Sequence, residues 1–374
     1  MAVFNLVYGI TFPLLALVLD AQGVSKTLIG LNTITQAAAV LFIAPWTPAL
    51  LSRLPPSRVM QSVTVILAIL FILAGLFPNV WFWFPLRFVI GAMTALLWIS
   101  SEALINELAE EQWRGRIIGF YSSVGAAGFA MGPLLLILTG SDGMAPFYAT
   151  TAMILLAAIP LFVVSHQKMD HDAEHSEGLW KIFLLAPTIM IANVVYAASA
   201  ESMLTFFPLF GISLGLTENA TLWLLTVVGL GGMILVMPIS WLADHVDRMG
   251  LLALCVLLTI VCLMLMPWLI RVPYVAEFYA FLFGGIEGMI YALGVILVGQ
   301  RFRGRMLAAA TTLFTACWGA GTMLGPLLVG IGIPLLVIGW FAAMLFILPL
   351  PNAPWAETPL EKLGYLIEEL GPAL

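Results

Sequence analysis

Four ionisable side chains lie inside long apolar stretches of this sequence, where little water is present to solvate a charge. They are Arg87, Glu102, Glu201 and Glu287, while a fifth, Asp20, lies near the end of its apolar stretch. A charge at the centre of a lipid bilayer costs at least about 2.5–3.5 kcal/mol on insertion scales. Each of these side chains is therefore a candidate functional group.

The chemistry open to the carboxyl groups differs from that of the guanidinium. Glu201 and Glu287 lie near the middle of their apolar stretches, where a carboxyl group can hold a proton and exchange it against a substrate. The alternative is a protonated carboxyl group that only hydrogen-bonds neighbouring helices. Arg87 keeps its positive charge, so it requires a carboxylate or an anionic substrate as partner, or it is a structural anchor.

Helical spacing extends the charged residues into polar stripes. One helix face carries Asn193, Ala197, Glu201 and Thr205 at intervals of four residues. Such a stripe must face protein or water, because hydrocarbon offers no hydrogen-bond partner. The predicted site comprises Glu201 and Glu287 for proton coupling, with a substrate cavity of Tyr8, Arg87, Trp98, Glu102, Asn193, Tyr196, Thr205 and Tyr291. For the aromatic members, ordinary packing is the alternative.

The composition places these residues in a membrane protein. Hydrophobic residues make up 62% of the 374 residues and charged residues 9%, whereas soluble domains carry roughly 25% charged residues. Continuous apolar runs exclude a transmembrane β-barrel, whose strands would alternate apolar and polar residues. We therefore predict an all-α polytopic membrane protein with spans of about 20 residues.

Polar and turn residues divide the chain into twelve predicted transmembrane helices. These cover residues 2–20, 27–51, 58–77, 80–107, 115–139, 145–165, 181–212, 219–242, 249–270, 273–300, 305–330 and 332–351. The predicted domains are an N-terminal six-helix bundle at 1–165, a cytoplasmic linker at 166–180, a C-terminal six-helix bundle at 181–351 and a cytoplasmic tail at 352–374. Lys and Arg favour the cytoplasmic side, and eleven lie in one set of loops and tail against two in the other. Both termini are therefore predicted to be cytoplasmic.

The two predicted bundles repeat one another. Phe12-Pro13-Leu14 recurs as Phe207-Pro208-Leu209, and an Arg-Gly-Arg turn begins at Arg114 and again at Arg303. Each turn precedes a stretch that ends in Gly-Pro-Leu-Leu, and the repeated landmarks are 189 to 195 residues apart. Pseudo-symmetric halves of this kind are typical of secondary transporters.

At several motifs the chain resembles the major facilitator superfamily, over essentially its whole length. The turn after the eighth span matches the acidic and basic positions of the family's loop motif at Asp244 and Arg248, whereas Ser52 occupies the acidic position in the first half. Arg87-Phe88 matches the fourth-span motif, and Glu107 matches the acid that closes that span.

Two further matches concern the mode of transport and the branch of the family. The stretches from Gly128 to Pro133 and from Gly321 to Pro326 match a G-x-x-x-G-P pattern that is associated with antiporters in this family. The sequences around Glu102 and Glu287 look most like the YcaD-like bacterial permease branch.

The resemblance implies that spans 1, 4, 7 and 10 line a central cavity that opens alternately to the two sides. It also implies a cytoplasmic gate of ion pairs, here Glu107, Arg114, Arg116, Asp244, Arg248, Arg303 and Arg305. For Glu102, a place in this gate and a place in the cavity both stay open.

These observations predict a secondary transporter of the bacterial inner (plasma) membrane that moves a small organic solute by rocker-switch alternating access. Proton-coupled efflux (antiport) is the preferred mode, and proton-coupled uptake (symport) of a sugar or organic anion is the alternative. A lipid flippase and a receptor-like protein without transport are weaker alternatives. An enzyme is not predicted, because the sequence shows no nucleophile–base pair or metal cluster.

The expected partners are the solute, protons and the lipid bilayer, and the chain is expected to act as a monomer. The sequence has no Walker A motif and no basic run, which argues against ATP-driven transport and nucleic-acid binding. His171 and His175 have a spacing that could bind a metal on a helix, but their polar surroundings favour a solvated linker. No cofactor or metal is predicted.

Overall fold

The computed structural model describes residues 2–43, 46–51, 53–108, 114–162, 179–243, 245–302 and 304–331. These residues form α-helices throughout, with a short 3-10 helix at Ile159–Phe162. The helices are α1 (Ala2–Ala21), α2 (Lys26–Ile43), α3 (Thr47–Leu51), α4 (Pro56–Leu76), α5 (Val80–Leu108), α6 (Arg114–Thr139), α7 (Ala145–Ala158), α8 (Leu179–Leu185), α9 (Pro187–Ser213), α10 (Glu218–Leu242), α11 (Arg248–Leu269), α12 (Val275–Arg301) and α13 (Gly304–Gly330). The predicted all-α fold is confirmed.

Nine helices in the described part of the chain are long and apolar enough to cross a membrane. The predicted spans 27–51 and 181–212 each consist of two helices, α2 with α3 and α8 with α9. The second break occurs where Pro187 begins α9, because proline has no N–H to continue a preceding helix. The predicted span 332–351, the tail and most of the linker lie outside the described residues.

The order of the helices fixes two ends of the bundle. Most of the arginines lie in the turns before α4, α6, α11 and α13 or at the helix ends next to them, and we call this the arginine-rich end. The turns before α2, α7, α10 and α12 form the opposite end. Glycines with positive φ form several of these opposite turns, among them Gly23 (φ 74°) and Gly215 (φ 90°), since glycine adopts this conformation without steric cost.

Helix packing repeats between the two halves of the chain. In the first half α1 packs on α6, and α5 packs on α2 and α4; in the second half α9 packs on α13, and α12 packs on α10 and α11. The halves meet through α1 with α9, α2 with α13, and α6 with α10. The second and third of these pairs are equivalent in the repeat, which is the arrangement expected for two pseudo-symmetric bundles.

The repeated Gly-Pro motifs lie at close helix–helix contacts within each half. A Cβ at Gly132 of α6 would collide with the backbone of Gly9 in α1, and a Cβ at Gly325 of α13 would collide with the backbone of Ala198 in α9. Small residues allow membrane helices to approach at this distance. The repeated motif therefore mediates close helix packing in both halves.

The two halves are in contact at the end opposite the arginines. The Thr27 hydroxyl at the start of α2 donates a hydrogen bond of 2.7 Å to the carbonyl of Gly330 at the end of α13. One turn further along α2, a Cβ at Gly30 would collide with the carbonyl oxygen of Pro326. The α2–α13 side of the boundary between the halves is therefore in contact at this end.

Candidate functional site

Arg87 is the most deeply buried charged residue of the site. Its side chain has 0% exposure, and α5 directs it toward α2 and α1. The Nη1 atom donates hydrogen bonds to Asn32 Oδ1 at 3.1 Å and to Thr33 Oγ1 at 2.9 Å. The guanidinium also lies over the ring of Phe12, 5.3 Å from its centroid, at a distance suited to a cation–π interaction.

The partners of Arg87 are therefore neutral groups. No carboxylate of a described residue forms an ion pair with it. Its Nε and Nη2 atoms have no hydrogen-bond partner among the described residues. In the planar guanidinium these two donors point to the same side and can together bind a carboxylate. Arg87 thus keeps one complete edge available.

Glu201 faces Arg87 from the other half of the molecule. It lies near the middle of α9, is 2% exposed, and is hydrogen-bonded to the hydroxyl of Tyr8 on α1. The charges of Glu201 and Arg87 interact across the boundary between the halves. The Oε1 atom has no hydrogen-bond partner in the described structure.

Other polar groups with unused hydrogen-bonding capacity flank this pair. They are Asn32 Nδ2 and both side-chain polar atoms of Gln36 on α2, and Thr205 Oγ1 on α9. Each of these side chains is at most 1% exposed. Buried polar groups in proteins normally have partners, so a concentration of unpartnered ones indicates a binding site. We call Tyr8, Asn32, Gln36, Arg87, Glu201 and Thr205 the central polar site.

Aromatic side chains from three helices meet on the arginine-rich side of the central polar site. Trp98 of α5 stacks on Phe4 (5.5 Å between ring centroids) and meets Trp318 of α13 edge-on (5.7 Å). Thr315, on the same face of α13 as Trp318 and nearer the arginines, is exposed. The aromatic cluster therefore separates the polar site from an exposed surface at the arginine-rich end.

Glu287 occupies a different environment. It is 5% exposed and accepts a hydrogen bond from the Ser199 hydroxyl at 2.5 Å. Ser199 and Glu201 are two residues apart, so they point to roughly opposite sides of α9. Glu287 of α12 thus packs inside the second half of the chain, whereas Glu201 faces the first half.

The remaining predicted cavity residues of α9 and α12 pack with α13. Tyr196 and Tyr291 have ring centroids 5.6 Å apart, and Tyr291 also packs on Phe314. The Asn193 amide donates a hydrogen bond of 2.6 Å to the carbonyl of Phe314. Tyr196 lies close enough to interact with both Glu201 and Glu287.

The structure describes only part of the predicted gate. Arg248 begins α11, and its Nε donates a hydrogen bond of 3.1 Å to the carbonyl of Ala243 at the end of α10, where a cation also complements the helix dipole. The helix but not the side chain is described for Glu102, Glu107, Arg114, Arg116 and Arg305, and Asp244 and Arg303 lie outside the described residues. The ion pairs of this gate stay a prediction.

A largely apolar cavity lies away from Arg87 and Glu201, although Lys26 is among the residues that line it. It has a volume of about 440 Å³ and lies between α9 and α11, lined by side chains such as Phe206, Phe210 and Met266. In the first half, α7 packs against the equivalent helices α1 and α4. The cavity therefore occupies the position in the second half that α7 covers in the first half. Neither Arg87 nor Glu201 lines it.

The sequence prediction did not include the α2 members of the site. Asn32, Thr33 and Gln36 are neutral, whereas the prediction rested on charged side chains in apolar stretches. A signal was nevertheless present, because Asn32 and Gln36 are four residues apart within an otherwise mainly apolar helix and so share one face.

Comparison with known proteins identifies the family. The sequence model of the Major Facilitator Superfamily matches residues 1–274 and 189–351. The chain belongs to this superfamily. The bacterial "Uncharacterized MFS-type transporter YfkF" of Bacillus subtilis is 25% identical over 85% of this chain and 83% of its own length. The YcaD-like branch stays a prediction.

Two more distant similarities are to proteins named for export or transport. The "Staphylopine export protein" of Staphylococcus aureus is 22% identical over 54% of each chain. The crystal structure of the nucleoside transporter NupG superposes with a TM-score of 0.75, at 14% identity, over 93% of this chain and 96% of that one. The second similarity shows the shared transporter fold. This superfamily member is therefore a multi-pass membrane transporter and not an enzyme.

Proposed function

We propose that this superfamily member is a proton-coupled secondary transporter of a small organic solute, with Glu201 as the proton-carrying group. The observation that carries the proposal is the position of Glu201 between the two halves. It contacts Tyr8 of α1 and faces Arg87 of α5, while its own helix belongs to the second half. A carboxyl group in this position experiences a different electrostatic environment whenever the halves move relative to one another.

The charges of Glu201 and Arg87 link the protonation of Glu201 to the separation of the two halves. With Glu201 ionised, its attraction to Arg87 favours the arrangement in which the halves are close together. With Glu201 protonated, the attraction is lost, and the boundary between the halves opens more readily. Protonation can therefore bias a two-state equilibrium between arrangements, which is the requirement for coupling.

We propose efflux by proton antiport as the mode of transport in a bacterial inner membrane, with both termini in the cytoplasm. The G-x-x-x-G-P motifs and the relative named as an export protein support this direction. Proton-coupled uptake of an organic anion is the second candidate. The unpartnered edge of Arg87 favours it, because an anionic substrate could bind there while Glu201 is protonated.

Reconstituted vesicles test the proposal. Purified protein in proteoliposomes is given a pH gradient and a panel of radiolabelled drugs, sugars and amino acids, and the gradient is collapsed with a protonophore in matched samples. We expect one direction of the gradient to drive accumulation, and the Glu201→Gln variant to lose this dependence. Equal transport with and without the gradient would contradict proton coupling.

A further inference from the structure

The two sides of the central polar site offer opposite hydrogen-bonding chemistry. The first half contributes mainly donors: Nε and Nη2 of Arg87, Nδ2 of Asn32 and Nε2 of Gln36 have no partner among the described residues, and Gln36 also has an unpartnered acceptor, Oε1. The second half contributes acceptors: Glu201 Oε1, supplemented by the hydroxyl of Thr205. A ligand that satisfies both sides needs an acceptor at one end and a donor at the other.

The geometry of the Arg87 donors indicates which chemical group forms the acceptor end of the ligand. Nη1 of Arg87 is already held by Asn32 and Thr33, so the guanidinium is fixed in orientation. Its remaining edge presents two parallel N–H groups, which match the two oxygens of a carboxylate. A single carbonyl or hydroxyl oxygen would have to be shared between the two donors, with poorer geometry and no compensating charge.

The charge of Glu201 indicates which chemical group forms the donor end of the ligand. Its unpartnered oxygen is a strong acceptor when the carboxyl group is ionised, and an ammonium group supplies both the donor and the compensating charge. The titratable or charged groups around Glu201 are Tyr8 on α1, Arg87 on α5 and Tyr196 on α9 itself. None of these neighbours is a second carboxylate.

We infer that the substrate is a small zwitterion whose carboxylate binds the Nε–Nη2 edge of Arg87 and whose amino group binds Glu201. The substrate then bridges the two halves, replacing their direct charge–charge attraction. A proton on Glu201 and the substrate ammonium compete for the same oxygen. The link to transport rests on the proposed function. The inference deepens that function by naming the substrate class.

Binding measurements with matched ligands test the substrate class in the unmodified protein. Three scaffolds are used, each as an amino acid, its amide without the carboxylate, and its acid without the amine: alanine, alaninamide and propionate, then the leucine and phenylalanine equivalents. Because two charge-assisted contacts are needed, we expect the amino acid of at least one scaffold to bind at least about tenfold more tightly than both of its analogues. If no scaffold prefers its amino acid, the inference is overturned.

Two variants test whether Arg87 and Glu201 cause the preference for the amino acid. Arg87→Lys keeps the charge but loses the paired donors, so the advantage of the amino acid over its amide should shrink at least about tenfold. Glu201→Gln should remove the advantage over the amine-free acid. An unchanged preference in both variants also overturns the inference. Because the ligand series itself is measured on the unmodified chain, the inference stays testable if either variant fails to fold.

Proton release on binding separates this inference from the proposed function. Calorimetry in buffers of different ionisation enthalpy counts the protons released when the preferred amino acid binds. Amino-acid preference without proton release contradicts proton coupling and leaves the substrate class intact. Proton release on ligand binding without any preference for the amino acid contradicts the substrate class and leaves the coupling intact.

Discussion

The two glutamates buried in the second half of the molecule occupy unequal mechanical positions. Glu201 lies on the face of α9 that meets the first half, where it contacts Tyr8 and faces Arg87. Glu287 lies on α12 and bonds to Ser199 on the opposite face of α9, within one half. A rigid-body movement of the halves changes the surroundings of the first carboxyl group and leaves those of the second intact. Burial of an acid is therefore insufficient for coupling, since its position relative to the moving boundary decides what its protonation can do.

Exchanging each carboxyl group for an amide provides the largest expected contrast. Glu201→Gln should abolish the proton dependence of substrate binding, which we expect to be roughly 5–150-fold, the usual range for coupling between two sites. Glu287→Gln should preserve that dependence, because its hydrogen bond to Ser199 does not cross the boundary. Substrate binding measured at pH 6 and pH 8 checks both variants. Loss of pH dependence in Glu287→Gln alone would reverse the roles of the two glutamates.

Locking the halves together tests whether movement at the boundary matters. Thr27 of α2 and Gly330 of α13 are adjacent across it, and Thr27→Cys with Gly330→Cys, in a chain whose native cysteines are replaced, places two thiols there. A Cβ at Gly330 would lie 2.8 Å from the carbonyl oxygen of Lys26, so the start of α2 must shift slightly to accept the crosslink. We expect oxidation to stop transport and a reducing agent to restore it, because alternating access requires this contact to open. The single-cysteine variants are the controls. Full transport by the crosslinked protein would show that the halves do not separate at this end.

Removing one partner of Arg87 should have a moderate effect on stability. Asn32→Ala leaves a buried guanidinium with one acceptor fewer, and hydrogen bonds to charged groups contribute about 1.5–3 kcal/mol. We expect a lower thermal unfolding temperature and weaker binding of carboxylate ligands. Thr35→Ala is the matched control, because the Thr35 hydroxyl bonds within its own helix, to the carbonyl of Asn32. Equal effects of the two substitutions would remove Asn32 from the site.

The smallest effect is expected at the partner of Glu287. Ser199→Ala removes a single buried hydrogen bond within the second half, a change worth about 0.5–1.5 kcal/mol. Thermal stability should fall slightly, while proton-driven transport in vesicles should retain its dependence on the gradient. A change in that dependence would mean that Glu287 also senses the boundary between the halves.

Part of this site could be predicted from the sequence because the membrane makes polar residues conspicuous. Arg87 and Glu201 stand out in apolar helices, and the spacing of Glu201 and Thr205 places them on one face. The neutral Asn32 and Gln36 are less conspicuous, and their membership depends on the close approach of α2 and α5, where a Cβ at Gly91 would collide with the Gln36 backbone. Such proximity between distant segments is not encoded in local periodicity.

By itself, the sequence determined the solvent, the helical class, the duplication and the superfamily, because hydropathy and repeated motifs are properties of contiguous residues. The tertiary structure decided which polar groups meet. It placed Glu201 at the boundary between the halves and Glu287 inside the second half. The reason is that Glu201 and Ser199, the partner of Glu287, project from opposite sides of α9. The tertiary structure also left one edge of Arg87 unpartnered among the described residues. Those outcomes depend on helix rotation and packing across the boundary, which local sequence cannot specify.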